Sequence, residues 1–389
     1  MLPDLEYTTS GLYTVGNGAC THLPLRSTRE SAAHDELTAR RVVSGPTRRE
    51  VWGMTIADRL RSRTVAQRPN TPAPAPRRDR DLQQTLRLLL ATVWLMDAAL
   101  QLQSVMFTPG PDGFSGMLHD AAAGNPSWIA HTITWNASLN AHQPILTNGI
   151  FSGVQFIIAF GIAWRPTCRY ALALSVMWSV LVWWFGEGLG GVLTGAATPF
   201  GGGPGAVVYY ALLAVVLWPT RASGGDAPFV AARTLGVPTA RALWASLWAL
   251  LALLAVVGHG RSPLALHDLV ADTSTGEPGW LLRIDRWSQA VLLHDGTTVA
   301  VLFALFCILV AASVYLRPAA TQVVLVAAIV VFALVWVAVE NLGGVLTGSA
   351  TDPNSGLLVI LFVLAYWPLP QTPESKDAPG AVTTGRVKT

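Results

Sequence analysis

Charge is what this sequence has least of. Only 13% of its 389 residues are Asp, Glu, Lys or Arg, against 51% hydrophobic, and the mean hydropathy is +0.43. So little polar surface excludes an ordinary soluble globular protein and makes a lipid bilayer the natural solvent. Cysteine is nearly absent. Cys20, Cys168 and Cys307 stand far apart with no CxxC spacing, so neither a disulfide framework nor a thiolate metal site is expected. No long apolar run precedes Leu88, so no cleavable signal peptide is expected and the first apolar run serves as the insertion signal. Walker, dinucleotide-binding, HExxH and nucleophile-elbow motifs are missing, and no self-contained hydrolytic or transfer activity is expected. The glycine string Gly201–Gly205 reads only as a loop.

What the chain does have is eight apolar runs: Leu88–Phe107, Ile145–Trp164, Tyr170–Gly186, Ala206–Trp218, Ala242–Gly258, Val299–Leu316, Val323–Val339 and Leu357–Trp367. Most approach the ~20 residues needed to cross ~30 Å of hydrocarbon. The fourth and eighth fall short, so either their helices extend into the preceding glycine-rich loops or those loops dip into the membrane. Basic residues set the orientation. Of the 26 Lys and Arg, 14 precede Leu88, and with a cytoplasmic amino terminus only Arg261, Arg283 and Arg286 fall outside. Both termini are therefore expected in the cytoplasm of a multi-pass cell-membrane protein. The lopsided charge concerns topology, and no nucleic-acid partner is implied.

The chain repeats itself. Glu187-Gly-Leu-Gly-Gly-Val-Leu-Thr-Gly-Ala-Ala-Thr198 is matched by Glu340-Asn-Leu-Gly-Gly-Val-Leu-Thr-Gly-Ser-Ala-Thr351 at an offset of 153, which also pairs Trp183 with Trp336. At an offset of 152, Trp128, Trp135, His142 and Arg165-Pro166 meet Trp280, Trp287, His294 and Arg317-Pro318. The fold class predicted is all-α: a polytopic membrane protein of eight transmembrane helices in two tandem four-helix repeats. An even number of spans per repeat puts the two in parallel orientation about an axis along the membrane normal. The parts are a disordered basic tail with a Pro-rich linker (1–84), repeat one (85–219), a cytoplasmic linker (220–241), repeat two (242–368) and a disordered tail (369–389). Met54 opens an alternative start.

Several residues could carry chemistry. The seven-residue spacing of Trp128, Trp135 and His142, and of Trp280, Trp287 and His294, returns a helix to within ~20° of one face. An amphipathic helix on the outer surface of each repeat is expected, its indoles at headgroup level. Its histidine either caps the turn into the membrane, or His142 and His294 meet across the axis and share a transition metal or haem iron, with Glu187 and Glu340 completing the set. These two glutamates end the third and seventh runs, where a carboxylate needs a partner, and either cap the glycine-rich loops or act in function. Asp97 lies inside the first run with Gln101 and Ser104 on the same face, fit for a proton relay, a quinone or substrate contact, or a hydrogen bond to Asn148 or Gln155. His119-Asp120 and His267-Asp268 recur in the outer loops and read as solvated pairs or metal ligands.

Residues 93–103, 183–195 and 340–356 resemble a family of duplicated actinobacterial membrane proteins, over about residues 85–368. More distantly, each repeat is similar in layout to the four-helix DoxX/DoxD group. That resemblance implies a membrane redox component touching quinone or partnering a membrane oxidoreductase, and it transfers no catalytic residue. Three function classes stand open: a redox-associated or metal-handling component; a transporter or channel with a cavity lined by Asp97, Gln101, Asn148 and Gln155 and bounded by the glycine-rich loops; and a structural partner subunit.

Overall fold

Apolar residues that recur without interruption by proline or charge form helices, and the computed structural model, which describes residues 77–220, 227–257 and 262–370, is helical throughout, with no strand among the described residues. In chain order the helices are α1 (Arg77–Leu100), α2 (Phe114–Ala122), α3 (Ser127–His142), α4 (Pro144–Ala163), α5 (Cys168–Phe185) and α6 (Ala206–Val216). The second half continues with α7 (Val230–Leu235), α8 (Val237–Val256), α9 (Ala265–Thr273), α10 (Leu281–Ser313), α11 (Pro318–Ala338) and α12 (Ser355–Ala365). Five of these, α4, α5, α8, α10 and α11, are long and apolar enough to cross a membrane.

These long helices are apolar on both sides. Their outward faces carry Ile145, Ile157 and Phe160 on α4, Met177 and Val180 on α5, Leu302, Leu305 and Ile308 on α10, and Val323 and Leu334 on α11, all exposed. A belt of that size has no stable place in water and is what lipid tails solvate at no cost. Their inward faces share one continuous core that runs from Leu86 through Trp94, Tyr210, Trp244, Trp248 and Phe332 to Leu369.

The 11-residue helices α6 and α12 occupy the middle of the bundle. They pack against each other, and Tyr209, Tyr210, Leu213, Leu358, Phe362 and Tyr366 are almost completely buried. Each of these helices is preceded by irregular backbone, a loop that turns through a short 3-10 segment at Gly188–Gly191 or Asn341–Gly344. Of the two alternatives left open by the length of these runs, helix extension is excluded. Gly190 shows why the sequence is glycine-rich here: its φ is +60°, and a Cβ would stand 1.8 Å from the Pro204 carbonyl oxygen.

Where the two halves share sequence they share contacts. Trp183 Nε1 donates to Pro204 O at 2.8 Å, and Trp336 Nε1 donates to Pro353 O at 2.7 Å. Where they differ, the structure differs. In the first half Pro144 starts a new helix after His142, because proline suits a first helical turn but not an interior. Gly296 stands at the matching place, and α10 runs unbroken for 33 residues, fusing the expected surface helix to the apolar run that follows it.

Some boundaries move. Helix α1 begins at Arg77, so the end of the segment taken as disordered to 84 is helical, and residues 1–76 lie outside the described residues. The segment 220–241 holds α7 and the start of α8, with 221–226 outside the described residues, as are 371–389 of the carboxy-terminal tail.

Candidate functional site

Polar groups inside the first half collect around α1. Gln101 Nε2 donates to Asn148 Oδ1 at 2.7 Å, Asn148 Nδ2 donates to Met106 O, and Ser152 Oγ donates to Ala98 O at 2.8 Å. These bonds tie α1 to α4 by the interhelical polar contacts that hold membrane helices together where the hydrophobic effect cannot. Asp97 is 2% exposed, and its Oδ1 is buried with no hydrogen-bond partner. It stands beside Tyr210, whose ring packs on Trp94 with centroids 4.3 Å apart.

Next to this polar stripe lies a cavity of about 750 Å³. Its wall is apolar and aromatic, from Trp94, Phe114, Trp135, Phe151, Trp178 and Phe185. Its polar points are Asp97, Gln101, Asn136, Gln155, Glu187, Ser349, Thr351, Asp352 and Asn354, and among the described residues no Lys, Arg or His lines it. Glycines 186, 190, 201–203 and 205 floor it from the first half, and residues 349–354 close it from the second. The two glycine-rich loops meet here: a Cβ on Gly202 would lie 2.0 Å from Asn354 Oδ1.

Glu187 enters just beyond the end of α5. Its Oε1 accepts from Val207 N at 3.4 Å, while Oε2 is buried without a partner. Burial first, and then the nearby Asp352 charge, push its carboxyl up from 4.5 to about 8, against the pull of the Val207 amide. Asp352 accepts from Asn354 N at 2.7 Å and Thr351 Oγ1 at 2.9 Å, and burial raises it despite those bonds. Three acids in one apolar cavity, with no base beside them among the described residues, cannot all be ionised without a counterion.

Asp97 and Glu187, singled out from sequence, thus come together, with Gln101 and Gln155. Asn148 stands behind Gln101 and does not line the cavity. Glu340 does not join them. It is 3% exposed and closes on its own loop, Oε1 accepting from Ser355 Oγ at 2.5 Å and Oε2 from Gly356 N at 2.9 Å. Burial pushes it too to about 8. His142 turns back on its helix, Nδ1 donating to Ser138 O at 2.6 Å, and faces a separate shallow groove with residues 143–146, Gly149 and Ile150. His294 lies exposed on α10, its Nδ1 3.4 Å from Ala290 O. The expected set of His142, His294, Glu187 and Glu340 is therefore not assembled, and among the described residues no three His, Cys, Asp or Glu side chains come together to hold a metal. His267 pairs with its neighbour Asp268 at 2.9 Å.

Sequence reasoning missed Asp352, because it comes from the second half and lines a cavity in the first. The signal was present. The glycine strings match through Thr198 and Thr351 and then diverge, Pro199-Phe-Gly-Gly in one half against Asp352-Pro-Asn-Ser in the other. Comparison with family models, with curated proteins and with solved structures finds no match to this chain.

Proposed function

We propose that this chain is an eight-span membrane protein of two tandem parallel repeats, 85–219 and 242–368, whose first-repeat cavity binds an apolar organic cation in exchange for protons, as a transporter or carrier would. The carrying observation is the sign of the cavity: Asp97, Glu187 and Asp352 with no basic lining residue among the described residues, inside aromatic walls. A positive charge about 4 Å from one carboxylate gains ~4 kcal/mol at an effective dielectric of about 20. An aromatic face adds ~0.5–2 kcal/mol. A proton satisfies the same carboxyls when the cation is absent, so the two compete for one site.

Eight spans follow if α1, α6 and α12 count with the five longer helices. The matched Trp183–Pro204 and Trp336–Pro353 contacts support two repeats of one design. The repeats have diverged in use: Glu340 is satisfied by Ser355 and Gly356, whereas Glu187 keeps an oxygen unpartnered beside the cavity. The excess of Lys and Arg in 1–87 supports cytoplasmic termini.

The test is equilibrium binding of radiolabelled tetraphenylphosphonium to the full chain in lipid nanodiscs, with triphenylphosphine oxide as a neutral competitor. Saturable binding that the neutral compound does not displace, and that Asp97→Asn weakens at least tenfold, is expected. Absence of saturable binding overturns the reading. Displacement by a quinone but not by a second organic cation would return the protein to the redox class.

A further inference from the structure

A second acidic place lies outside that cavity, at the start of α10. Glu277 is 6% exposed, Asp285 and Asn341 are 0% and Ser288 is 5%. Both carboxylate oxygens of Glu277, both of Asp285, Ser288 Oγ and Asn341 Oδ1 are buried without a hydrogen-bond partner. Asp285 and Ser288 stand one turn apart on the buried face of α10, and Asp285 is near enough to Glu277 for their charges to interact.

The first half gives the arrangement at the matching positions. A Cβ added to Gly188 would lie 2.5 Å from Ala121 O, 2.7 Å from Asn125 Nδ2 and 3.4 Å from Ile133 Cδ1. At the offsets already established, Gly188, Ala121, Asn125 and Ile133 correspond to Asn341, Thr273, Glu277 and Asp285. Asn341 Nδ2 donates to Thr273 Oγ1 at 3.2 Å, which fixes the amide with its oxygen free. In the first half this place holds a single side-chain amide, Asn125, which donates to Ala121 O at 2.9 Å, with Ile133 buried among Leu118, Ala122, Ile129 and Leu189. In the second half every one of the four positions carries a side-chain oxygen. Asn341 even holds a left-handed φ of +50° to do so, where its counterpart is glycine.

We infer that Glu277, Asp285, Ser288 and Asn341 form a binding site for one hard divalent cation, of which calcium fits best. Six buried acceptor oxygens reach the lower end of calcium's coordination number. A proton shared by the two carboxyls satisfies at most two of them. Magnesium keeps several of its waters and needs more room. The arginines of this stretch, Arg283 and Arg286, are exposed, and neither forms an ion pair with Glu277 or Asp285. The site lies outside the cavity lining and stands or falls independently of the organic-cation reading.

The experiment titrates calcium chloride into the full chain in nanodiscs after stripping with chelator, followed by calorimetry and by thermal unfolding, with magnesium chloride in parallel. Saturable binding of one calcium per chain, a rise in Tm, and a response to magnesium at least tenfold weaker are expected. Asp285→Asn should weaken calcium binding at least 100-fold. Asn341→Gly removes one oxygen while restoring the residue its counterpart has, and should fold and bind about tenfold more weakly. No saturable response of the wild-type chain overturns the site, as does undiminished binding in both variants.

Discussion

Affinity for a permanent organic cation should follow the ionisation of Glu187. Its carboxyl, pushed up to about 8 by burial and by Asp352, is protonated at neutral pH, and the proton must leave before a cation can take its place. Below pH 8 each unit of pH then costs about 1.4 kcal/mol, or tenfold in apparent Kd. Between about pH 6 and pH 8 the affinity should rise about 50-fold, and it should level off by about pH 9. Glu187→Gln keeps an oxygen for the Val207 amide but removes charge and proton. Its profile should be shallower than that of wild type, Asp352 alone still titrating from a raised value, and at about pH 9 it should lose up to ~4 kcal/mol of Coulomb attraction, less whatever desolvation offsets. The assay is equilibrium dialysis of radiolabelled tetraphenylphosphonium against nanodiscs across this range, the probe itself having no titratable group. A flat wild-type profile, or a variant with the wild-type slope, would refute the reasoning.

Stability should carry its own pH signature through Glu340. An acid whose pKa is raised by folding contributes fully below its unfolded value of 4.5 and loses that contribution as pH climbs to about 8, a span worth at most ~5 kcal/mol. Thermal unfolding in detergent should therefore show wild type weakening over this window and Glu340→Gln weakening much less; equal slopes would count against a neutral buried Glu340. Gly205→Ala should reduce cation binding at least tenfold, because φ is +124° there and the new Cβ would stand 2.3 Å from Glu187 Oε2; backbone strain adds ~1–3 kcal/mol, read by Tm. Trp336→Phe leaves the Pro353 carbonyl without its donor and should cost ~1–3 kcal/mol in thermal unfolding, with Trp183→Phe costing a similar amount through Pro204. Gln101→Leu strands the Asn148 carbonyl oxygen and should cost a comparable amount.

The helices were legible because bilayer-facing segments are written in plain hydropathy, and each of the eight apolar runs holds all or part of a helix. The boundary at Arg77 was not, since the charged turn that opens α1 carries no hydropathy signal. The fused α10 was legible only by contrast, in the absence of a proline to match Pro144. Asp97 and Glu187 stood out because an acid in an apolar run needs a reason. The histidines stood out for regular spacing, but spacing fixes a helical face and says nothing of what the face meets. His142 meets its own backbone. Asp352, Glu277 and Asp285 were not legible from the repeat, because a repeat marks only positions where the two halves agree. All three lie where they disagree: Asp352 follows the end of the matched strings, and Glu277 and Asp285 stand where the first half has Asn125 and Ile133.

The most direct measurement is the location of the bound cation. An aryl-azide derivative of a quaternary ammonium, photolysed on the full chain in nanodiscs and mapped by peptide mass spectrometry, should label residues within 94–101, 178–187, 201–207 and 349–354, and excess tetraphenylphosphonium should abolish the label. Label confined to the lipid-facing grooves at 142–150 or 156–174, or label that the competitor leaves unchanged, would contradict a cation site in the acidic cavity.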